Sequence, residues 1–93
     1  MNTAMLAEVH DALVTIHATV ETLKFSQCDR DDVDELIARV ESELHNSRPN
    51  VQVMGTFLNS IARSLRTEPS ARDACLRISG AIDHLGVANT WEN

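Results

Sequence analysis

The sequence predicts an all-α fold, a small four-helix bundle whose helices run antiparallel, up-down or nearly so. Three observations carry this prediction. Four segments repeat apolar residues at the three- and four-residue spacing of one helix face. The links between these segments are short, so successive helices should be antiparallel neighbours. Aromatic residues make up only 3% of the chain, so the core must consist of the aliphatic side chains that commonly fill helical bundles.

The 93 residues predict one helical domain, residues 1–93, of which residues 88–93 form a polar tail. An apolar fraction of 43% and a charged fraction of 24% are typical of globular chains. No segment approaches the ~20 apolar residues that cross a bilayer, and the first residues lack the pattern of a signal peptide. With two widely separated cysteines, these features predict a cytoplasmic protein with reduced thiols and no membrane contact.

The first segment predicts a helix that Asn2 or Thr3 can cap. Its apolar face consists of Leu6, Val9, Leu13, Ile16, Val20 and Leu23. Apolar residues also alternate between positions 14 and 20, a pattern typical of a strand. Because the helical pattern extends over residues 6–23 without a turn signal, we predict a helix and keep a strand at residues 14–22 as the alternative.

The second segment predicts a helix with Asp29 as its N-cap. Carboxylates in the first turn, at Asp31, Asp32 and Asp34, suit the positive end of the helix dipole. The apolar face consists of Val33, Leu36, Ile37, Val40 and Leu44.

The third helix is predicted to start with Ser47 as its cap and Pro49 near its first position. Its apolar face consists of Val51, Met54, Leu58, Ile61 and Leu65. Gly55 within this helix costs about 1 kcal/mol relative to alanine. We expect it where another helix approaches closely, or at a kink.

Residues 67–70 end the third helix. Ser70 and Asp73 resemble a capping box with aspartate in place of glutamate, and they predict the start of the fourth helix. Its apolar face consists of Ala71, Ala74, Cys75, Ile78, Ala81, Ile82 and Leu85. Gly86 stands where a left-handed C′ residue belongs, with Val87 as its hydrophobic partner. Across the four helices, the residues expected in the core are Leu13, Ile16, Val40, Leu58, Ile61, Ile78 and Ile82.

The sequence offers no convincing catalytic or metal site. His10 and His17 share a helix face but are separated by ~10.5 Å of helix rise, too far for one metal ion. His17 and Glu21 could chelate together, but no third ligand is evident and HExxH is absent. The acidic run of residues 29–35 lacks the glycine and the final glutamate of a calcium loop. We therefore expect no enzyme activity, no cofactor and no metal.

Charge is divided unequally along the chain. Residues 1–47 hold ten acids and three bases, whereas residues 48–93 hold four acids and five bases, so the halves carry −7 and +1 and sum to −6. The acidic balance disfavours nucleic acid, where phosphate neutralisation supplies much of the affinity. It favours a partner protein with a basic surface.

The sequence thus predicts a non-catalytic protein-binding module that uses helices one and two. An acidic immunity protein or antitoxin that neutralises a basic toxin has this physical type. The predicted partner-binding residues are Asp31, Asp34, Glu35, Glu41 and Trp91, although Trp91 fits better as an intramolecular clip over one end of the bundle. A homodimeric structural or adaptor module and a secretion or assembly chaperone remain alternatives.

Overall fold

The computed structural model of the chain describes residues 3–23 and 27–92. It contains four α-helices and one short 3₁₀ turn, in the order α1 (Thr3–Thr22), α2 (Gln27–Leu44), α3 (Val51–Leu65), 3₁₀ turn (Pro69–Ala71) and α4 (Arg72–Leu85). The described residues form no strand. The all-α prediction is confirmed, and residues 14–22 are helical, so the strand alternative is wrong there.

The four helices form a closed ring. The α1 helix packs on α4, α2 on α3 and α3 on α4, whereas α1 and α2 pack less closely. Two contacts show that α1 and α2 are antiparallel: Arg30 donates to the carbonyl of Val20 (2.8 Å), and His17 Nε2 lies 3.0 Å from Glu41 Oε1. Residue numbers fall along α1 as they rise along α2, as an up-down bundle requires.

The apolar faces of all four helices meet inside the ring. Each of the seven residues expected in the core is at most 3% exposed: Leu13, Ile16, Val40, Leu58, Ile61, Ile78 and Ile82. Two large apolar side chains, Val14 and Leu76, are instead exposed. Among the described residues, Asn59 is the one polar residue that is buried.

Two helix starts differ from their predicted positions. The α2 helix begins at Gln27, so Asp29 lies in its first turn and is not its N-cap. Ser70 lies within the 3₁₀ turn, and Ala71 occupies the N-cap position of α4 without a side-chain cap. The chain enters α4 through a backbone hydrogen bond from Ala71 N to the Glu68 carbonyl (2.9 Å), which replaces the predicted capping box.

The start of α3 is also later than predicted. Its N-cap is Asn50, whose side chain accepts from the backbone N–H of Val53 (3.0 Å). Ser47 and Pro49 lie in the loop before it. Asparagine is as favourable an N-cap as serine. Asn50 stands three residues before Val53, whose backbone N–H needs a hydrogen-bond acceptor. For α1, Thr3 is the first helical residue, and Asn2 lies outside the described residues.

The end of α4 follows the prediction. Gly86 adopts a left-handed conformation (φ 72°, ψ 23°), and Val87 N donates to the Ile82 carbonyl (3.4 Å), as in a Schellman motif. Residues 87–92, which we call the tail, then lie against α3 and α4. The neighbour for which Gly55 leaves room is Val87 of the tail, and not another helix as predicted.

Candidate functional site

The four predicted acidic residues of α2 share one face of that helix. At 3.6 residues per turn they fall within a sector of about 120°. Asp31, Asp34 and Glu35 are exposed, and Glu41 is half-buried. The structure therefore places these four carboxylates on one side of α2, along about 15 Å of its length, and we call them the α2 acidic face.

On the α1 side of this face, Glu41 contacts His17. The two side chains are about half exposed, so the interaction is a surface pair, worth about 0–1 kcal/mol. Asp34 lines a shallow cleft of about 250 Å³ together with His17 and Arg30. Because Arg30 donates to the carbonyl of Val20 on α1 (2.8 Å), its guanidinium is already engaged in joining the two helices.

On the α3 side, Glu35 pairs with Arg39 at 3.4 Å, and both side chains are mostly exposed. The Arg39 guanidinium also lies over the ring of Phe57, 5.9 Å from its centroid, a geometry suitable for a cation–π interaction. Arg39, at this edge of the α2 acidic face, is thus already used within the protein.

An open groove lies between α1 and α2, where those helices pack less closely. Its apolar wall consists of Leu13, Val14 and Leu44, and its volume is about 220 Å³. Val14 is 55% exposed. His17 and Glu41 also line this groove, which we call the α1–α2 groove, so it adjoins the α2 acidic face. This groove was not predicted from the sequence, because Val14 belongs to none of the apolar stripes.

Trp91 lies on a different side of the bundle, against α3 and α4. Its indole Nε1–H donates to Ser79 Oγ of α4 (3.1 Å). Its carbonyl accepts from Arg66 Nη1 of α3 (3.0 Å). The structure therefore places Trp91 as an intramolecular clip and does not bring it together with the α2 acidic face.

Asn59 organises the tail and was not identified from the sequence. Its Nδ2 donates to the carbonyls of Gly55 (2.9 Å) and Ala88 (3.0 Å). Its Oδ1 accepts from the backbone N–H groups of Thr90 (2.8 Å) and Trp91 (3.2 Å). The carboxamide thus uses both donors and both lone pairs. The available signal was an amide side chain next to Leu58, four residues after a helical glycine.

Metal-binding and nucleophilic side chains are dispersed. In the described part of the chain, no three His, Cys, Asp or Glu side chains converge as metal ligands would. Cys75 is a free, buried thiol whose Sγ lies 3.8 Å from the Ala62 carbonyl. Burial raises the pKa of the Cys75 thiol, which disfavours the nucleophilic thiolate. The side chain of Cys28 is not described.

None of the described helices combines the length and the apolar character that a membrane span requires. No model of a known protein family matches the chain, and no curated protein or solved structure matches it at a significant level. Function is therefore inferred from the geometry and charge of the α2 acidic face and the α1–α2 groove.

Proposed function

We propose that the protein is a non-catalytic binding module that holds a basic partner protein on its α1–α2 side. The observation that carries this proposal is the α2 acidic face, with four carboxylates in one sector of a single helix beside an open groove. Asp31 lies three and four residues before Asp34 and Glu35, so repulsion among these three carboxylates disfavours the free protein, and a cationic partner would relieve it.

Charge supports a basic partner. The half of the chain that contains α1 and α2 carries −7. Two of its three bases already serve internal contacts, because Arg30 donates to α1 and Arg39 pairs with Glu35. A negative field of this kind accelerates the association of a positively charged protein and selects against acidic ones.

The α1–α2 groove adds an apolar contact surface to the electrostatic attraction. Stable interfaces combine an apolar centre with a polar rim. Val14 and the half-buried Leu44 offer an apolar contact, and His17 and Glu41 stand at its edge. An apolar side chain of the partner would lie in the groove while its lysine or arginine side chains face the carboxylates.

Among proteins of this physical type, we favour an immunity protein or antitoxin that neutralises a basic toxin in the cytoplasm. Such an inhibitor needs fast association with a cationic target and no chemistry of its own. An electrostatically steered surface on a small rigid bundle meets both needs.

The test compares two variants that each lose four charges. The first, D31N/D34N/E35Q/E41Q, neutralises the α2 acidic face. The control, E68Q/D73N/D83N/E92Q, removes the same charge from the other half of the chain. We expect the wild type and the control to capture the same basic protein from the native cell at low ionic strength, and the first variant to lose it.

Kinetics with that purified partner then decide the proposal. The α2 variant should associate at least about tenfold more slowly, and its association rate should depend less on salt. Equal association of the α2 variant and the control at low salt would overturn the proposal. A homodimer that survives high salt, detected by light scattering, would favour the structural or adaptor alternative.

A further inference from the structure

Three of the four histidines of the chain line the α1–α2 groove. They are His10 and His17 of α1 and His45, which directly follows α2. All three are exposed to solvent. The fourth, His84, lies near the end of α4 and does not line the groove. The groove beside the α2 acidic face therefore collects the type of side chain whose charge changes between about pH 5 and 8.

Two of these histidines are hydrogen-bonded to Glu41. His17 Nε2 lies 3.0 Å from Glu41 Oε1, and this nitrogen is the donor because an ionised carboxylate only accepts. His45 Nδ1 lies 2.8 Å from the Glu41 backbone carbonyl, so it is also a donor. The other ring nitrogen, Nδ1 of His17 and Nε2 of His45, takes up the proton at acidic pH. Protonation therefore adds charge to the groove without breaking either contact.

The charged groups around the three rings come from α1 and α2. His10 Nδ1 lies 3.9 Å from Asp11 Oδ1 on its own helix. The shallow cleft that adjoins the groove is lined by Glu21 of α1 and by Arg30 and Asp34 of α2. Among the described residues of α3 and α4, none lines the groove or this cleft. The histidines thus lie in a mainly acidic part of the surface, and their protonation reduces its negative charge.

This change in charge acts against a basic partner. Three imidazolium groups offset three of the four negative charges of the α2 acidic face. Protonated His17 also forms an ion pair with Glu41, so it competes with a lysine or arginine of the partner for that carboxylate. Water screens these charges in the free protein. A partner that covers the groove excludes this water and strengthens the repulsion between its own cations and the imidazolium groups.

We propose that the α1–α2 groove is a pH-sensitive switch, which holds a basic partner at neutral pH and releases it at mildly acidic pH when His10, His17 and His45 are protonated. The switch rests on the function proposed for the α2 acidic face, and it adds the regulation of that same site. Because proton binding and partner binding oppose each other, the reverse also holds, and association of the partner should release protons.

The test uses the full chain and a probe whose own charge stays constant. The probe is a synthetic amphipathic helix of leucine and lysine, acetylated and amidated at its ends. Between about pH 5.5 and 7.5 lysine stays protonated, and ordinary aspartate and glutamate stay mostly ionised. Calorimetry at low ionic strength measures the affinity at both pH values. We expect the wild type to bind at least about tenfold more weakly at the lower pH.

A second measurement needs no variant. Heats of binding in two buffers with different ionisation enthalpies give the number of protons that the complex releases or takes up. At about pH 6.5, where histidines are partly protonated, we expect a net release. A net uptake of protons would overturn the proposal, because it would mean that the bound probe favours the protonated histidines.

The H10Q/H17Q/H45Q variant identifies the responsible groups. Glutamine keeps a hydrogen-bond donor but takes up no proton, and the three positions are exposed, so the variant should keep the helical circular dichroism of the wild type. Its affinities at the two pH values should differ by at most about threefold. H84Q, the matched control at an exposed histidine outside the groove, should retain most of the wild-type pH dependence.

The D31N/D34N/E35Q/E41Q variant separates this switch from the proposed function. If the wild type binds the probe no better than this variant at about pH 7.5, the electrostatic attraction on which both proposals depend is absent. If the wild type binds more tightly but equally at the two pH values, the proposed function stands and the switch is wrong. The switch is also wrong if H10Q/H17Q/H45Q keeps the wild-type pH dependence.

Discussion

Gly55 of α3 and Val87 of the tail fit together because a side chain at position 55 would occupy the space of a valine methyl group. A Cβ atom there would overlap Val87 Cγ2 and would lie 3.1 Å from Val87 Cβ. Among the described glycines only Gly86 has a positive φ. Gly55 is therefore required by the space that the tail occupies and not by its backbone conformation.

The first prediction concerns Gly55→Ala. At an exposed position within a helix, replacing glycine by alanine stabilises the protein by about 1 kcal/mol. At position 55 the overlap with Val87 should outweigh this gain, and the variant should be less stable than the wild type by about 1–3 kcal/mol. In the Val87→Ala background most of the overlap disappears, and the loss should shrink or become a gain. Urea denaturation of the four proteins in this double-mutant cycle measures the coupling. Additive effects would show that the two residues do not interact.

The second prediction concerns Asn59. Asn59→Ala removes all four of its hydrogen bonds, so the tail should dissociate and stability should fall by about 1–3 kcal/mol. Asn59→Asp keeps the acceptor for Thr90 and Trp91 but turns a carboxylate oxygen toward the Gly55 and Ala88 carbonyls in place of the two donors, so it should destabilise the protein at least as much as Asn59→Ala. Trp91 is the only tryptophan, so a red shift of its emission reports release of the tail. An unshifted spectrum in a folded Asn59→Ala protein would contradict the assignment of Asn59 as the organising residue.

The third prediction compares leucines at two depths. Leu58 is fully buried, whereas Leu76 is 56% exposed. Leu58→Ala should cost about 2–5 kcal/mol through lost contacts and a residual cavity, and Ile61→Ala should behave similarly. Leu76→Ala, the matched control, should change stability by less than about 0.5 kcal/mol. Equal melting temperatures for Leu58→Ala and Leu76→Ala would mean that α3 is wrongly oriented.

The fourth prediction concerns Cys75. Burial raises the pKa of its thiol, so in a Cys28→Ser background it should react slowly with a thiol reagent at mildly alkaline pH and rapidly once urea unfolds the chain. Above pH about 8.5 the thiol ionises more readily in the unfolded chain than in the folded one. The stability that the neutral buried thiol contributes should therefore be lost as pH rises through that range. Cys75→Ala should lack this decline, and equal reactivity in the folded and unfolded chains would contradict the prediction.

The fifth prediction concerns the stability of the free protein when the α2 acidic face is neutralised. The D31N/D34N/E35Q/E41Q variant loses the surface pairs with His17 and Arg39, each worth about 0–1 kcal/mol, and gains relief from repulsion. We expect it to keep the helical circular dichroism of the wild type, with stability within about 1 kcal/mol of it or slightly higher. Unfolding of this variant would show that these carboxylates are needed for the fold.

The helices were predictable because each apolar stripe is a local sequence pattern, and the residues of that stripe are buried in the core of the bundle. Leu13 and Ile78, for example, are buried where their spacing placed them. Helix starts were less predictable, since several residues near each start can cap, and the loop geometry that selected Asn50 over Ser47 is not a local property. The acidic residues of α2 share a face because helical periodicity requires it.

The contacts of the tail could not be predicted from the sequence. Asn59 contacts residues 29 to 32 positions away along the chain. Hydrogen bonds between an amide side chain and the backbone of a distant polar tail leave no local sequence pattern, so they could not be predicted. Gly55 was recognised as a point of close approach, but its neighbour was not, because a glycine indicates that space is needed without indicating for what. Trp91 was expected to serve as a clip, and its position against Ser79 and Arg66 agrees with that expectation.

The pairing of α1 with α4 has a consequence for synthesis of the protein on the ribosome. The first of the four helices finds its main partner in the last, so much of its apolar face stays uncovered while α2 and α3 are translated. The native core therefore closes only after translation of α4, and the nascent chain until then exposes Val9 and Ile16 to chaperones and to other unfinished chains.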